Sequence, residues 1–386
     1  MVAMVRSRTV VALLGFCVCA ALGAKFAYSS SRGRPTPART ARRQSVVPPP
    51  APAAQPAPAL DVVAYDDKLL EIANLPPPRV VTTVHWVRKG KHRIKTETKA
   101  IRYAHASDGV PLKDLWPAKA PLPDAGALLP FDRIVAYYGN LYSTHMGVLG
   151  EYPPPEMLAM LQRTTAQWQA ADPTTKAVPA LDYIAVAAQA SAGGDGLYSM
   201  RMPASQVDKV LQLAQQIHAL VFLDVQVGQS NVRTEVPLLA TFLKLPQVEL
   251  ALDPEFAMHG GKRPGTVIGT LDATDINWAA RYLARIVQAN GLPPKILVVH
   301  RFTQPMVTHY RDIRPLPQVQ IVMDMDGFGY PAEKIKTYED FIESEPVQFT
   351  GFKLFYKNDV RRPGSYLLTP EQILKLHPRP SYIQYQ

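Results

Sequence analysis

Acidic residues stand in closely spaced pairs where apolar runs in the C-terminal part of the chain end. Asp253 and Glu255 form one pair, and Asp324 and Asp326 form another. Residues two apart on a strand face the same side, and carboxyls on nearby strands lie roughly 5 to 10 Å apart. That separation suits glycoside hydrolysis, in which one acid protonates the glycosidic oxygen and the other attacks the anomeric carbon or activates water. These four residues are the predicted catalytic carboxylates, with Glu255 as the acid and Asp324 or Asp326 as base or nucleophile.

The other apolar runs also end in polar or aromatic residues, which we predict to bind substrate. They are Asn140, Gln189, Asp224, Gln226, His300, Arg301, Phe328, Lys353 and Gln384. The cations among them are expected to offset the carboxylates, since like charges gathered on one rim repel each other. Alternatively, Asp253 and Asp324 cap the helices that follow them, or pair with Arg301, and serve only the fold.

Sequence motifs for nucleotides and for thiol chemistry are incomplete in this chain. The glycine-rich segment 260–265 has Arg263 where a phosphate-binding loop needs Ser or Thr after its lysine. The segment 327–332 matches a dinucleotide turn, but no acidic residue ends the strand after it. Both cysteines, Cys17 and Cys19, lie in an N-terminal apolar run, which excludes Cys-ligated zinc from the folded part. No cofactor is predicted, and no metal ligands are assigned in the preferred interpretation.

Eight short apolar runs alternate with segments of helical periodicity from residue 133 to the C-terminus. The runs cover 134–138, 183–188, 220–225, 248–252, 296–299, 319–323, 352–356 and 382–385. This alternation favours parallel strands with helices outside, and eight strands in about 250 residues match one (β/α)8 TIM barrel. A doubly wound open sheet competes, but the turn after Tyr138 lacks the glycine-rich sequence typical of that fold. We therefore predict an α/β fold, a TIM barrel closed by the C-terminal strand.

The residues before the barrel differ from it in composition. Residues 1–24 contain two arginines before an uncharged run, as in a signal peptide or an N-terminal anchor. Residues 25–60 are predicted to be a disordered linker rich in Pro, Ala and Arg. Residues 61–130 form an N-terminal extension, in which alternating β-branched residues over 80–103 predict a basic β-hairpin, and the barrel covers 131–386. The hairpin either grips an anionic wall polymer or membrane surface, or is a solvated element packed on the main domain.

The net charge of +10 is concentrated in two segments. Residues 1–58 hold eight basic residues and no acid, and residues 79–102 hold eight basic residues and one glutamate; taking this +8 and +7 from +10 leaves −5 for the rest. This distribution disfavours an evenly basic surface of the kind that binds nucleic acid, and no nucleic-acid partner is predicted. The expected partner is a carbohydrate or cell-wall polymer, with a membrane tether through the N-terminus. The expected location is secreted, or attached to the outer face of the cytoplasmic membrane or the cell envelope.

Several blocks of the barrel segment carry a resemblance to known sequences: FLDVQVG, LALDPEF, LPPKILVVHRFTQPM, MDMDGFG, GFKLFYKND and YIQYQ. They look like those of uncharacterised secreted or envelope-attached bacterial proteins, described as hypothetical proteins or putative lipoproteins. The layout is more distantly similar to TIM-barrel glycoside hydrolases. It departs from their commonest clan, since no Asn-Glu-Pro ends the fourth strand and Lys353 stands in place of Glu at the seventh. The resemblance implies a glycoside-hydrolase-like barrel and brings no established catalytic residues.

Three functions fit these observations. The first is an extracytoplasmic glycan-active hydrolase of the cell envelope, which uses the paired carboxylates at the C-terminal rim of the barrel. The second is a non-catalytic carbohydrate-binding or cell-wall-binding barrel, whose rim grips sugar hydroxyls. The third is a metal-dependent hydrolase that gathers several rim residues around a divalent ion: Asp224, Asp253, Asp324 and His300.

Overall fold

Eight parallel strands form a closed barrel in the computed structural model, which describes residues 59–386. They are β1 (Asp132–Gly139), β2 (Lys176–Ala188), β3 (Leu220–Val225), β4 (Val248–Leu252), β5 (Lys295–Arg301), β6 (Val319–Met325), β7 (Phe349–Leu354) and β8 (Tyr382–Tyr385). Each strand pairs with the next one along the chain, and β8 pairs with both β7 and β1. The predicted TIM barrel closed by the C-terminal strand is confirmed, and the open doubly wound sheet is excluded.

Two strands begin at least three residues earlier than their apolar runs indicate. β2 begins at Lys176 and not at residue 183, and β7 begins at Phe349 and not at residue 352. In β2, Pro179 and the charged Asp182 interrupt the apolar pattern, although Asp182 is fully buried. The run-based prediction therefore omits an inward-facing carboxylate of the second strand.

Helices on the outside of the barrel connect most of the strands. The longer helices are Pro154–Ala171, Ala204–Gln215, Ala273–Asn290 and Pro331–Tyr338, the last continuing into a π-helical turn at Glu339–Glu343. Short helices and 3₁₀ turns cover Leu112–Leu115, Val148–Glu151, Val232–Glu235, Val236–Leu239, Ala240–Leu243, Pro254–Phe256, Gln304–Met306, Tyr310–Asp312 and Pro370–Ile373. Minor strands are Ser199–Arg201, which pairs with β2, and Leu271–Asp272, which pairs with Val307–Thr308.

Helix Ala273–Asn290 shows how the sequence sets these elements. The side chain of Asp272 accepts a hydrogen bond from Thr274 N and caps the first turn. Ile276 and Leu283 lie on the face that packs against the barrel. Gly291 ends the helix with φ 59, a left-handed conformation that glycine adopts without strain.

The N-terminal end of the barrel is filled with apolar side chains. Those facing inward include Ile134, Val178, Ile296 and Val322. Helix Val62–Ala73 closes this end, because Ile72 joins the same buried cluster and its carbonyl accepts a hydrogen bond from Arg379 N at 2.7 Å. The polar side chains of Glu249 and Gln320 also face inward at this end, where they bond to Ile296 N and to the backbone of Leu129. Most other polar residues of the barrel interior lie at the opposite, C-terminal end.

A two-stranded antiparallel hairpin precedes the barrel. Its strands are Arg79–Lys89 and His92–Arg102, and Gly90 in the turn has φ 64. Every strand residue is exposed except the half-buried Val81. The basic hairpin predicted from the sequence is present, but it does not pack on the main domain.

Two predicted segments lie outside the described residues: the signal peptide or N-terminal anchor 1–24, and the linker 25–60 apart from its last two residues. Over residues 59–386, no helix combines the length and the apolar composition that crossing a bilayer would need. The boundaries between the segments 61–130 and 131–386 remain a prediction.

Candidate active site

A buried polar layer lies at the C-terminal end of the barrel, and each strand contributes one inward-facing side chain to it. In strand order these side chains are Tyr138, Asp182, Asp224, Asp253, His300, Asp324, Lys353 and Gln384. Alternation along each strand places them there; β5 and β6, for example, align His300 with Asp324 in register. The structure thus brings together six residues that the sequence assigned to the rim, together with two that it did not assign, Tyr138 and Asp182.

Asp326 lies between two cations. Its Oδ1 forms an ion pair with Lys353 Nζ at 3.0 Å, and its Oδ2 lies 3.9 Å from His300 Nδ1. Burial alone would lower the pKa of His300, but the hydrogen bond to Asp324 and the charge of Asp326 outweigh burial and raise this pKa to about 10. His300 is therefore charged at neutral pH, and it faces Asp326 together with Lys353.

Asp224 and Asp253 are connected through neutral side chains. The hydroxyl of Tyr138 donates a hydrogen bond to Asp224 Oδ2 at 2.9 Å. The amide of Gln226 donates to the Tyr138 oxygen and to Asp253 Oδ2, each at 3.1 Å. Burial, followed by the charge of Asp253, raises the pKa of Asp224 to about 8. Asp224 is therefore mainly protonated at neutral pH.

Asp182 is the carboxylate that the apolar runs do not predict. Tyr382 OH and Gln384 Nε2 donate hydrogen bonds to its Oδ2 at 2.6 and 2.7 Å. Burial raises its pKa. Asp182 lies in the middle of β2, so an inspection of strand ends misses it. Its spacing of two from Ala180 and Ile184, which face the barrel interior, is the sequence signal that could have found it.

Glu255 and Asp326 are the most accessible of the clustered carboxyls. Glu255 is half-buried and Asp326 is 7% exposed, whereas Asp224 and Asp324 are 0% exposed. The 3₁₀ turn Pro254–Phe256 carries Glu255 just beyond the end of β4. Burial, followed by the charges of Asp253 and Asp326, raises the pKa of Glu255 to about 8. Glu255 therefore holds a proton at neutral pH.

Arg301 points away from the polar layer. It is the neighbour of the inward-facing His300, so alternation directs its side chain to the outside of the barrel. There it forms an ion pair with Glu345 and donates to the carbonyls of Thr303 and Gln304. Arg301 consequently does not offset the charge of the rim carboxylates, a correction to the expectation from the sequence.

Three further residues predicted to bind substrate form no hydrogen bond with the clustered carboxyls. Asn140 is buried and donates to Ile184 O, so it holds the loop after β1. Gln189 is half-buried, and its amide donates to Ala187 O at 3.4 Å. Phe328 is half-buried and packs edge to face on Phe355 with ring centroids 5.7 Å apart.

Five buried polar atoms of the layer have no hydrogen-bond partner among the described residues. They are Asp182 Oδ1, Asp224 Oδ1, His300 Nε2, Asp324 Oδ1 and Gln384 Oε1. Unpaired polar atoms in a protein interior cost free energy, and inward-facing Val or Ile would avoid that cost. Such a concentration of perturbed titratable groups at the C-terminal end of a barrel is typical of a functional site.

Two cavities of the described chain lie away from this layer. One is a groove of about 380 Å³ beside helix Pro331–Tyr338, lined in part by Glu343 and His377. The other is smaller and lies below the barrel, between Ile72 and Trp116. Over residues 59–386, no three or more His, Cys, Asp or Glu side chains are arranged so that they could hold a metal ion.

No family model matches the chain, and no curated protein is similar to it. Among solved structures, it is similar to a ruminal GH26 endo-beta-1,4-mannanase, with 11% identity and a TM-score of 0.34, covering 75% of this chain and 68% of that one. It is also similar to GH26C from Muricauda sp. MAR_2010_75, with 11% identity and a TM-score of 0.27, covering 65% of this chain and 70% of that one. Likenesses of this size carry no inference about activity. The resemblance to uncharacterised envelope-attached proteins stays a prediction.

Proposed function

We propose that this chain is an extracytoplasmic glycan-active hydrolase of the cell envelope, with Glu255 as the acid and Asp326 as the nucleophile or general base. The observation that carries this proposal is the contrast between the two carboxyls at the barrel mouth. Burial and neighbouring carboxylates keep Glu255 protonated, while Asp326 lies between Lys353 and His300. Cleavage of a glycosidic bond needs one carboxyl in each of these roles.

In the proposed reaction, Glu255 transfers its proton to the glycosidic oxygen while the bond from that oxygen to the anomeric carbon breaks. The leaving sugar departs with the transferred proton on its hydroxyl. The anomeric carbon gains positive character, and Asp326 either bonds to it or removes a proton from a water molecule that attacks it. Water supplies the hydroxyl of the second product in both cases. If Asp326 bonds to the sugar, Glu255 takes the proton of the water that breaks that bond. If Asp326 acts as the base, it takes that proton and releases it to solvent, from which Glu255 is reprotonated.

Asp253 and Asp324 position these groups in this scheme. Asp324 is fully buried and accepts the hydrogen bond of His300, so it acts on Asp326 through the imidazole. Asp253 accepts a hydrogen bond from Glu255 N at 3.1 Å, and its charge adds to the effect of burial on the Glu255 pKa. Between the two bases that the sequence allowed, accessibility favours Asp326.

The location of the protein is proposed from its sequence alone. The leader-like residues 1–24 and the Pro-rich residues 25–60 indicate export followed by release or attachment at the envelope. A carbohydrate or cell-wall polymer is the proposed partner of the barrel mouth. Phe328 lies two residues after Asp326 and is the aromatic side chain proposed to pack against a sugar face.

A second candidate function is carbohydrate binding without turnover. It is favoured by the depth of the polar layer, since Asp182, Asp224 and Asp324 are all 0% exposed. In that case the layer would fix the shape of a binding surface, and Glu255 and Asp326 would accept hydrogen bonds from sugar hydroxyls.

The experiment is to measure release of reducing sugar from a panel of envelope polysaccharides by the wild type and by single variants. Glu255→Gln and Asp326→Asn should each lower the rate by about a thousandfold or more, since each removes an essential proton transfer or attack. The matched controls are Glu156→Gln and Asp208→Asn, which make the same changes at exposed helix positions. The controls should keep the wild-type rate.

Full activity in either site variant would contradict the proposed roles. Retention of glycan by the wild type and both site variants, with no product from any polysaccharide, would favour the binding function instead. Melting temperatures of the variants separate loss of chemistry from loss of fold.

A further inference from the structure

The hairpin Arg79–Lys89 and His92–Arg102 carries large apolar side chains that no other part of the described chain covers. Trp86 is 63% exposed, Val80 is 65% exposed and Ile101 is 63% exposed. Val80 stands directly opposite Ile101 in the register and Trp86 opposite Lys95, so alternation places Val80, Trp86 and Ile101 on one face of the hairpin. A two-stranded hairpin is marginally stable by itself in water, so these exposed apolar groups indicate a surface that a partner covers.

The same hairpin concentrates positive charge with little internal compensation. It holds eight basic residues and one acid, Glu97, which pairs with Lys95. Arg88 stands directly opposite Arg93, and Arg79 opposite Arg102, so like charges face each other across the strands. Such pairs destabilise a hairpin unless anions lie beside them. The partner that covers the apolar groups is therefore anionic.

We propose that this hairpin is a membrane-docking element that binds lipid surfaces with anionic headgroups. Val80, Trp86 and Ile101 enter the interfacial region of the bilayer, where a tryptophan ring is favoured. The basic side chains of the same face, at Arg88, Arg93, Lys95 and Lys99, contact lipid phosphates, and Lys89 and Lys91 at the turn add to the attraction. The inference is independent of the proposed hydrolase activity.

The combination of exposed apolar and basic side chains on the hairpin favours a membrane over other partners. A soluble anionic polymer would satisfy the basic residues and leave the exposed Trp86 and Ile101 in water. A second copy of the chain offers little opposite charge, because the net −5 outside the two basic segments is spread over about three hundred residues. An anionic bilayer supplies both apolar and anionic groups over the length of the hairpin, about 37 Å for eleven paired residues.

The residues that flank the hairpin determine which end of the barrel lies near a bound membrane. Leu75 and Ala104, which flank the hairpin, pack in one small cluster with Ala73 and Trp116. That cluster adjoins helix Val62–Ala73, which closes the N-terminal end of the barrel. The hairpin is therefore rooted at the end opposite the carboxylate layer, and a bound membrane leaves the barrel mouth accessible.

The test is sedimentation of the full chain with large vesicles made of three parts phosphatidylcholine and one part phosphatidylglycerol. The variant Lys89→Gln, Lys91→Gln, Arg93→Gln should bind about 100-fold more weakly than the wild type, since each charge near an anionic surface contributes roughly one kcal/mol. Trp86→Thr should also weaken binding. The matched control is Lys209→Gln, Lys244→Gln, Arg281→Gln, which removes three exposed charges from the barrel and should bind like the wild type.

Wild-type binding by both hairpin variants would overturn the proposal. So would equal binding of the wild type to pure phosphatidylcholine vesicles. Loss of binding in the charge variant with no effect of Trp86→Thr would also overturn it, because that pattern describes attraction to a polyanion without insertion. Unchanged melting temperatures in all three variants establish that the barrel is intact.

Discussion

His300 donates a hydrogen bond from Nδ1 to Asp324 Oδ2 over 2.9 Å, where β5 and β6 run side by side in register. This bond fixes the orientation of the imidazole. Together with the charges of Asp326 and Asp324, it outweighs the effect of burial, so the pKa of His300 is raised to about 10 and the ring is charged. The charged ring then faces Asp326 at 3.9 Å. A fully buried carboxylate thereby controls the surroundings of one that is 7% exposed, which is the arrangement expected of a supported catalytic group.

The pH dependence of hydrolysis should report the proton on Glu255. Its pKa is raised from an ordinary value to about 8, so the acid is protonated below pH 8 and loses its proton above it. The value of kcat/KM should therefore fall about tenfold for each pH unit above about 8. Initial rates on a soluble glycan between pH 5 and 10 measure this fall, the alkaline limb of the pH profile.

The variant Asp253→Asn provides the control for that assignment. Burial is the larger cause of the raised Glu255 pKa, and the charge of Asp253 is the next. Removal of this charge should move the alkaline limb to lower pH without abolishing it. An alkaline limb in the same position in wild type and variant would assign the titration to another group.

The barrel interior has no space for a side chain at Gly351, which faces Asp324 across β6 and β7. A Cβ atom there would lie 2.5 Å from Asp324 Oδ1 and 3.0 Å from Asp324 Cβ. Gly351→Ala should therefore displace the carboxylate from His300 and lower activity at least tenfold, with a loss of about 1 to 3 kcal/mol in the free energy of unfolding. Gly194→Ala is the control, since no atom lies within 4 Å of its added Cβ. Equal activity of the two variants would show that Asp324 can move without consequence.

Deletion of Tyr382–Gln386 should prevent the barrel from closing. β8 pairs with β7 on one side and with β1 on the other, and it supplies both hydrogen bonds to Asp182 Oδ2. We expect the truncated chain to lose its cooperative thermal transition in calorimetry. Replacement of the exposed hairpin 79–102 by a short Gly-Ser link should leave the transition in place. A cooperative transition in the chain without β8 would contradict the account of closure.

The alternation of apolar runs and helical periods was enough to predict the barrel, because strands buried on both sides need continuous apolar residues. It also predicted that Asp224, Asp253, His300, Asp324 and Lys353 would meet, since the C-terminal ends of the strands share one rim.

The pattern of apolar runs did not predict the functional polar residues that lie away from the end of a run. Asp182 lies inside β2, where the sequence pattern treats it as an interruption of the strand. Tyr138 and Tyr382 have the pattern of core aromatic residues, although their hydroxyls donate to Asp224 and Asp182 respectively. Arg301 follows His300 in sequence but faces the other side of the strand. Alternation along β2 and β5 places Asp182 inside and Arg301 outside once the bounds of the strands are known. The partners of the Tyr138 and Tyr382 hydroxyls depend on tertiary contacts that periodicity does not contain.

The most direct test of the central claim compares two leaving groups. The dinitrophenolate of a dinitrophenyl glycoside leaves without protonation. The leaving sugar of a natural glycosidic bond needs a proton on its oxygen. Glu255→Gln should lose most of its activity on the natural glycan and keep most of it on the dinitrophenyl glycoside, and Asp326→Asn should lose both. Equal losses of Glu255→Gln on the two substrates would contradict the assignment of Glu255 as the acid.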